Sequence, residues 1–391
     1  MVGRLVSPLN DRFQFWYAGH LIATSRSPYD QSAWTGAAAA YGEVAALVAR
    51  NCPDALASTC LWAYPPWTAW LFAPFGLLDA ERGIGAIAWL GFVSGAASAI
   101  LLTRALPLTA SSTMVVALVT VASAPFVWAS FLGQFEPLLL IGALLVARAL
   151  RDGDAVPLAV GAVLLSLKPN LCVALGPLVA GVLVVRRAWP SLVATTAVLG
   201  ALGAVGIWRE PGALTALAGA GAKTAIVLPT TWSFAARAAP SVAPLLALGL
   251  VAISIAAAWT AVRAARPAVR DLTLVAAGLG LSLAITPYAH LYDHVLLLPA
   301  IAVTIGVLDG HGARARMMGW IAVGFGYVAV TWLAFLAGPH GDEPAAAALI
   351  PVATLVALAG ATRWRASAEP RARAGQARSA GPGHTRSRGP G

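Results

Sequence analysis

Three polar groups in this otherwise hydrocarbon-rich chain have residue types suited to group-transfer chemistry. Asp11 heads an aromatic segment, and Lys168 lies in the turn L-K-P-N at residues 167–170. His290, Asp293 and His294 lie in the run T-P-Y-A-H-L-Y-D-H at residues 286–294. A carboxylate can take a proton from an attacking hydroxyl, and a cationic side chain can hold a departing anion. The sequence therefore predicts acid–base and anion-binding chemistry, provided that the fold brings these residues together.

Each of these residues also has a purely structural interpretation. Aspartate is a favoured helix N-cap, so Asp11 could cap a helix that begins at Arg12. Lys168 could end a short helix and extend its amine to the lipid–water interface. The two histidines and Asp293 could bind a phosphate, form an interfacial polar cluster, or hold zinc or manganese. Because no further ligand is evident, we expect no metal cofactor.

Two more polar groups are candidates for binding sugar. Gln134 and Glu136, in the turn G-Q-F-E-P, could bond sugar or acceptor hydroxyls, or could cap a helix that starts at Pro137. A second group combines aromatic rings with an acid, which commonly bind sugars, although anchoring at the membrane interface explains its aromatic members equally well. The members of this second group are Tyr29, Asp30, Tyr64 and Trp67.

The composition predicts that membrane helices position these groups. The chain has 391 residues, of which 59% are hydrophobic and 11% charged, and its mean hydropathy is +0.76, far above that of a soluble domain of this size. The 38 glycines suit close helix packing in lipid. The net charge is +10, but 7 of the 26 basic residues follow residue 362. This distribution favours a cytoplasmic tail near anionic headgroups and no nucleic-acid partner. We expect an all-α polytopic membrane protein.

Eleven apolar runs are candidate spans. They fall at about 84–103, 111–130, 136–150, 157–168, 171–185, 191–208, 243–262, 272–288, 294–308, 318–337 and 346–362. Arginines gather in alternate loops and in the tail, which the positive-inside bias assigns to the cytoplasm. The other loops, with all the candidate site residues, would then face outside. The runs 157–168 and 171–185 are too short to cross a bilayer, and we expect Lys168 at the tip of a short hairpin.

The first 83 residues form a polar, aromatic segment that we expect to be an external catalytic loop. Within it, residues 64–78 predict a short interfacial helix that is entered through Pro65 and Pro66. Residues 1–10 are too short and too polar for a signal peptide or a span, although an external amino terminus needs one, so we expect that a first helix is missing ahead of Met1. Cys52 and Cys60 could pair if this loop faces an oxidising space, or could remain free thiols.

The remainder divides into a transmembrane helical domain and a tail. The domain covers residues 84–362 and includes an external loop at 209–242, where acceptor choice is expected. Residues 363–391 are rich in Gly, Pro, Ser and Arg and are expected to be a disordered, basic cytoplasmic tail. The expected location is the inner (plasma) membrane, with the active site on the extracytoplasmic face.

An ordered set of short motifs resembles glycosyltransferase family 87, the former DUF2029 group, whose members have the GT-C fold. The motifs are D-x-x-x-F-W-x-A-G from Asp11 with S-P-Y-D at 27–30, YPPW at 64–67, GQFEP at 133–137, LKPN at 167–170 and TPYAHLYDH at 286–294. The resemblance implies inverting transfer of a sugar, most often mannose, from a polyprenyl-phosphate donor. It implies Asp11 as general base, Lys168 near the lipid phosphate, and a functional role for either His290 or His294. Two features depart from the family pattern: the first transmembrane helix, which we expect to be missing ahead of Met1, and Arg12, which stands where an apolar residue is usual.

Two other classes of protein fit part of the pattern. A transporter or flippase of lipid-linked sugars would also have an intramembrane lysine and short helices, but it should show repeat-related helices, and no internal repeat is evident. A non-catalytic assembly partner would not need Asp11 and Lys168 to approach each other. A glycine-rich nucleotide-binding turn is also missing. The resemblance to family 87 implies a polyprenyl-phosphate sugar and a glycolipid or polysaccharide acceptor as partners, and the composition implies the bilayer.

Overall fold

A computed structural model describes residues 7–30, 32–34, 37, 41, 62, 64–217, 228–309, 313–337 and 343–379. Within these ranges the chain is helical and contains no strand, as the sequence predicts. Cys52 and Cys60 lie outside the described residues, so their pairing stays a prediction.

The described residues form sixteen α-helices, which are numbered here in chain order. They are α1 (Ser7–Ala23), α2 (Pro66–Gly76), α3 (Ala80–Arg104), α4 (Ala110–Ala122), α5 (Ala124–Leu132), α6 (Glu136–Asp152), α7 (Ala155–Leu165), α8 (Leu175–Val185), α9 (Trp189–Arg209), α10 (Thr231–Ala238), α11 (Ala243–Ala264), α12 (Pro267–Ile285), α13 (Leu298–Asp309), α14 (Ala313–Gly319), α15 (Gly326–Ala337) and α16 (Leu349–Ser379). Short 3₁₀ segments lie at Pro169–Cys172, Pro240–Val242, Leu291–Leu297 and Ala345–Ala348, and a π-helical segment at Trp320–Phe325.

Local sequence explains where many of these helices begin and end. Asp79, Thr109 and Asp154 precede α3, α4 and α7, and each side chain accepts a backbone N–H of the first turn. At the other end, α5 and α6 stop at Gly133 and Gly153, whose φ values of 69° and 76° lie in the left-handed region. The ends of these apolar helices are therefore set by short polar or glycine signals.

Seven helices are long and apolar enough to cross a membrane, or up to eight if α4 and α5, bent by 53° at Ser123, count as one span. The seven occupy Ala80–Arg104, Trp189–Arg209, Pro240–Ala264, Pro267–Ile285, Leu291–Asp309, Arg316–Ala337 and Ala345–Trp364. These counts cover the described residues and support a multi-pass membrane protein, but they do not confirm eleven spans. Four of the eleven predicted spans are not among these seven. They are the run that forms the bent α4–α5 pair, α6 with 17 residues, and α7 and α8 with 11 residues each.

The two short helices match the short runs that the sequence predicts, but they do not pair as a simple hairpin. α7 packs on α6 and α9, whereas α8 packs on α12 and α9. At 11 residues each helix is about 16 Å long, roughly half a hydrocarbon core. The turn between them, with Lys168, therefore lies where surrounding protein can enclose it.

Arginine-bearing turns meet at one end of the helices. Arg186 Nη2 lies 2.5 Å from Asp271 Oδ1, and its Nη1 donates to the Leu150 carbonyl at 2.6 Å. Asp309 accepts from the Thr109 backbone at 2.9 Å and pairs with Arg316 at 3.7 Å. Loops that the positive-inside argument assigns to one side of the membrane therefore contact one another, although which side faces the cytoplasm stays a prediction.

Helices α1 and α2 form one tightly packed unit. Four aromatic side chains of α1 are at most 5% exposed: Phe13, Phe15, Trp16 and Tyr17. Phe15 stacks on Phe72 of α2 at a ring distance of 4.8 Å. The backbones touch where Gly19 meets Gly76: a Cβ on Gly19 would lie 2.2 Å from the Phe72 oxygen, and one on Gly76 would lie 2.2 Å from the His20 nitrogen. Only glycine fits this contact, which places the α1 helix, and Asp11 with it, against the bundle.

The predicted disordered tail differs from the structure. α16 continues without a break from Leu349 to Ser379, so residues 363–379 are helical, while 380–391 lie outside the described residues. Alanine and arginine are both strong helix formers, and they dominate the stretch just after residue 362, which explains why the helix extends beyond its apolar part.

Gly19→Ala should destabilise the protein, because the added methyl group would overlap backbone atoms of α2 that cannot rotate away. We expect a loss of about 1–3 kcal/mol, measured as a lower midpoint of thermal unfolding in detergent. Gly200→Ala on α9 is the matched control, because a Cβ there meets no atom within 4 Å. Equal midpoints for the two variants would contradict the α1–α2 contact.

Candidate active site

Polar residues from five separate segments meet beside the start of α6. Asp11 of α1 and Gln134 of the α5–α6 turn are joined by a 2.9 Å hydrogen bond. Lys168 of the α7–α8 turn pairs with Glu136 and with Asp293, which lies between α12 and α13. Glu343, just before α16, reaches His290 in the same connection. The structure thus brings together acids and bases that lie up to 332 positions apart in a 391-residue chain, from Asp11 to Glu343.

The α5–α6 turn holds Asp11 in place. Gly133 ends α5 in the left-handed conformation, and a Cβ there would lie 3.1 Å from Arg12 Cγ. This turn directs the amide of Gln134, which is 2% exposed, onto the Asp11 carboxylate. Since α1 begins at Ser7, Asp11 lies inside the helix, so the interpretation of Asp11 as an N-cap is wrong.

Lys168 is buried between two carboxylates. Its Nζ lies 2.8 Å from Glu136 Oε1 and 2.6 Å from Asp293 Oδ1, and the exposed side-chain fractions are 2% for Lys168 and 0% for both acids. The ammonium also lies 5.0 Å from the centre of the Tyr292 ring. Lys168 is therefore paired, and it is not an amine that extends freely to the interface.

Hydrogen bonds from side chains to backbone carbonyls fix the Lys168 turn. Trp67 and Thr68 of α2 donate to the carbonyls of Ser166 and Leu167, each at 3.2 Å. Asn170 donates to the Tyr288 carbonyl at 2.7 Å. Trp67, predicted as a sugar contact or interfacial anchor, therefore supports the turn that carries Lys168.

Glu136 is the first residue of α6, one position before the predicted start at Pro137. The N-cap, Phe135, makes no side-chain capping bond, and the Glu136 carboxylate bonds Lys168. Capping therefore does not account for Glu136 or Gln134, and binding of sugar or acceptor hydroxyls stays a prediction for both.

The α12–α13 connection separates the two candidate histidines. His290 precedes the 3₁₀ segment and its side chain is 25% exposed, whereas His294 lies within that segment and is 1% exposed. Asp293 Oδ2 accepts the His290 backbone N–H at 2.7 Å. The accessible His290 is therefore the better placed of the two to meet a substrate.

Three buried polar atoms in this cluster have no partner among the described residues. They are Gln134 Oε1, Glu136 Oε2 and His294 Nδ1. Unmade hydrogen bonds are costly for buried groups, and hydroxyl-rich ligands or water commonly satisfy them. Because these three atoms are enclosed, ordered water inside the cluster is the partner that can satisfy them.

The chemistry of Asp11 depends on its surroundings. Asp11 is half-buried, and burial raises the pKa of its carboxyl above the ordinary value. The hydrogen bond from Gln134 and the positive charges of His290, Lys168 and Arg12 oppose the rise. A partly exposed carboxylate with a raised pKa is a stronger base than an ordinary aspartate and stays reachable by a hydroxyl.

Two of the predicted sugar contacts lie apart from the charged cluster. Asp30 is exposed, and its carboxylate accepts from the backbone and hydroxyl of Ser32 at 2.9 and 2.7 Å. The Tyr29 hydroxyl donates to the Tyr64 carbonyl at 2.5 Å, tying this loop to the start of α2. Tyr64 itself packs beside Phe135 at a ring distance of 5.2 Å, next to Gln134. Sugar binding by Tyr29, Asp30 and Tyr64 stays a prediction.

Sequence reasoning missed Tyr292 and Glu343. Gln134 Nε2 lies 3.5 Å from the Tyr292 hydroxyl, and Glu343 contacts both His290 and the Leu291 backbone. Tyr292 lies between the predicted site residues His290 and Asp293. Glu343 is an acid in a loop that the sequence assigns to the external face, where the other site residues are predicted, so position in the sequence could have indicated both.

His290, Asp293 and His294 are the residues whose types allow metal binding. Within the part of the chain that the structure describes, no group of three or more His, Cys, Asp or Glu side chains could hold a metal ion. The expected absence of a metal cofactor stays a prediction.

Comparison with known families identifies the family to which the chain belongs. The model of glycosyltransferase family 87 matches residues 62–287, which is more than half of the chain. The chain belongs to glycosyltransferase family 87. The matched region of this family 87 protein contains Gln134, Glu136 and Lys168, while Asp11 and the residues after 287 lie outside it. No curated protein and no solved structure gives a significant match.

Lys168→Met should severely destabilise this family 87 protein, because it leaves Glu136 and Asp293 buried without a counter-charge. We expect a loss of about 3–5 kcal/mol, measured by thermal unfolding in detergent. Adding Glu136→Gln and Asp293→Asn to the same variant removes the uncompensated charges and should restore most of the loss. A Lys168→Met protein as stable as the unaltered one would contradict the ion-pair assignment.

Proposed function

We propose that this protein is an inverting membrane glycosyltransferase. It moves a sugar from a polyprenyl-phosphate donor to a glycolipid or polysaccharide acceptor outside the cytoplasm, and mannose is the sugar that we expect first. The observation that carries the proposal is the half-buried Asp11 carboxylate beside the Lys168 and His290 cluster, in a member of family 87. The GT-C fold belongs to the same proposal.

Asp11 is the proposed general base. As the acceptor hydroxyl attacks the anomeric carbon, its proton passes to the Asp11 carboxylate. The Gln134 amide holds one carboxylate oxygen at 2.9 Å and leaves the other for the incoming hydroxyl. This fixed geometry is what a base needs for attack on the face of the sugar opposite the phosphate.

The donor phosphate would meet Lys168 and His290. An ammonium has three N–H donors, and two of those on Lys168 are directed at Glu136 and Asp293, which leaves one for a phosphate oxygen. Because the two carboxylates offset the charge of Lys168, a second cation is needed to stabilise the departing phosphate. His290, which is partly exposed and close enough to Lys168 to feel its charge, can supply it.

A flippase of lipid-linked sugars is the alternative. It would share the multi-pass helices and the buried lysine, but it would need no base. The two functions separate in one experiment: membranes are incubated with radiolabelled polyprenyl-phosphate sugars, and the products are identified. Labelled glycolipid or polysaccharide supports transfer, while movement of intact donor across vesicles without product supports the flippase. Activity with a nucleotide sugar and no polyprenol would overturn the donor class.

Asp11→Asn should abolish transfer, with a loss of at least about 100-fold, because an amide cannot take the acceptor proton. The measurement is product formation from labelled polyprenyl-phosphate sugar at matched protein level and unfolding temperature. Glu81→Gln is the control, since Glu81 is an exposed acid in the first turn of α3. Full activity of the Asn variant would refute the base assignment.

Gln134→Leu should shift the acidic limb of the pH–rate profile to higher pH. The Gln134 hydrogen bond lowers the pKa of Asp11, so its loss raises that pKa further and leaves more of the base protonated at low pH. A shift of one unit means an approximately tenfold lower kcat/KM on the acid side, with little change at high pH. Gln134→Glu, which adds a like charge beside Asp11, should move the limb further. An unmoved limb in both variants would contradict Asp11 as the titrating base.

A further inference from the structure

Glu343 makes two bonds to the segment that carries His290. Its Oε1 lies 3.3 Å from His290 Nδ1, and its Oε2 accepts the Leu291 backbone N–H at 2.9 Å. Both oxygens of one carboxylate are thus used to fix a ring and the backbone next to it. The acid lies 53 residues further along the chain from the histidine, so the contact is a tertiary one.

Other contacts fix the orientation of the same ring. Asp293 accepts the His290 backbone N–H at 2.7 Å, which holds the backbone of this residue in place. Tyr292 stacks on the imidazole at 4.9 Å with an interplanar angle of 13°, and Tyr288 meets it edge-on at 5.4 Å. The imidazole therefore has little freedom to rotate, and its Nδ1 stays directed at Glu343.

This orientation decides what the second ring nitrogen can do. With Nδ1–H donating to the Glu343 carboxylate, Nε2 lies across the ring from it. The His290 side chain is 25% exposed, so a ligand can reach part of the ring. A carboxylate bonded to one nitrogen favours the doubly protonated ring, and Nε2–H then becomes a cationic donor.

We propose that Glu343 is a positioning residue that keeps His290 doubly protonated and aims Nε2–H at the phosphate oxygen that leaves the sugar. This inference rests on the proposed function for the identity of the phosphate, but the dyad itself is defined by the contacts of Glu343 and His290. It also selects His290 over His294 as the functional histidine.

The charges around His290 favour this protonation state. Burial lowers the pKa of His290, but the Glu343 carboxylate and the Asp293 carboxylate outweigh it and raise the pKa above the ordinary value. The charge of Lys168 opposes this rise in the His290 pKa. Asp11 is also close to the ring, because the positive charge of His290 lowers the pKa of Asp11. Among the described residues, Tyr288 and Tyr292 also contact the ring, and their hydroxyls are neutral.

The transfer step balances with this assignment. The acceptor oxygen forms a bond to the anomeric carbon, and the bond from that carbon to the phosphate oxygen breaks, with its electron pair passing to the phosphate. The acceptor proton goes to Asp11. His290 keeps its own proton and donates a hydrogen bond from Nε2 to the charge that develops on the leaving oxygen, so no further reactant is needed.

The first test is the pH dependence of transfer by Glu343→Gln. An amide keeps the size of the side chain but removes the charge that raises the His290 pKa. The basic limb of the pH–rate profile should therefore move to lower pH. If the His290 pKa falls by one unit, the transfer rate at pH values above the limb should drop approximately tenfold, while the rate below the limb stays near normal. Glu343→Asp, which keeps the charge but withdraws it by one methylene, should move the limb by a smaller amount, and Glu81→Gln should leave it in place. A limb that does not move in Glu343→Gln would overturn the inference.

The second test does not depend on activity. Diethyl pyrocarbonate modifies neutral imidazole, so the rate of His290 modification against pH, followed by mass spectrometry of its peptide, gives the titration midpoint in the purified full chain. The midpoint should be lower in Glu343→Gln. If the unaltered protein transfers no sugar but the midpoint shifts, the proposed function fails and the dyad stands. If the midpoint is unchanged, the dyad fails whether or not transfer occurs.

Stability is checked by thermal unfolding of each variant. If Glu343→Gln does not fold, the modification test is made on Glu343→Asp, in which the carboxylate lies one methylene further from His290. Its midpoint should fall by a smaller amount, and an unchanged midpoint would again overturn the inference.

Discussion

Lys168 is enclosed, 2% exposed, between Glu136 and Asp293, and the arrangement of the site depends on this ion pair. A buried charge is tolerated only when it is paired and hydrogen-bonded, and removing one member leaves the others uncompensated. The pairing therefore forces three segments to meet: the start of α6, the α7–α8 turn and the α12–α13 connection. Because α7 and α8 are only 11 residues each, their turn ends inside the protein, where both acids can reach the amine.

The proposed base, Asp11, is positioned by a different set of contacts. Asp11 lies on α1, whose aromatic side chains fill the core and whose Gly19 allows backbone contact with α2. α2 in turn supports the Lys168 turn through Trp67 and Thr68. One rigid unit thus carries the proposed base and also braces the lysine, so the distance between them is set by packing.

Membership of family 87 and the geometry of the site support the same function from different parts of the chain. The family match ends at residue 287 and begins at residue 62, so it includes the lysine turn but neither Asp11 nor His290. The contacts connect these outer residues to the matched core: Asp11 through Gln134, and His290 through the Asp293–Lys168 pair. The proposed base and the proposed phosphate contacts thus belong to one connected network.

Much of the site could be predicted from the sequence because charged residues are scarce in an apolar chain. Asp11, Gln134, Glu136, Lys168, His290 and Asp293 were all singled out by type and by short motifs, and alternate loops indicated that they share a face. The all-helical class and the two short helices around Lys168 followed from apolar run lengths, since a helix rises by a fixed amount per residue. The span count could not be settled in this way, because a bend such as the one at Ser123 leaves no trace in hydropathy.

The sequence by itself determined which groups are available and where the apolar helices lie. Only the tertiary structure decided their partners: that Asp11 lies inside a helix and bonds Gln134, that Lys168 is neutralised by two acids, and that Glu343 holds His290 rather than His294. The physical reason is that a hydropathy pattern depends on neighbours along the chain, whereas ion pairs and hydrogen bonds depend on distances of about 3 Å between segments that lie far apart in the sequence.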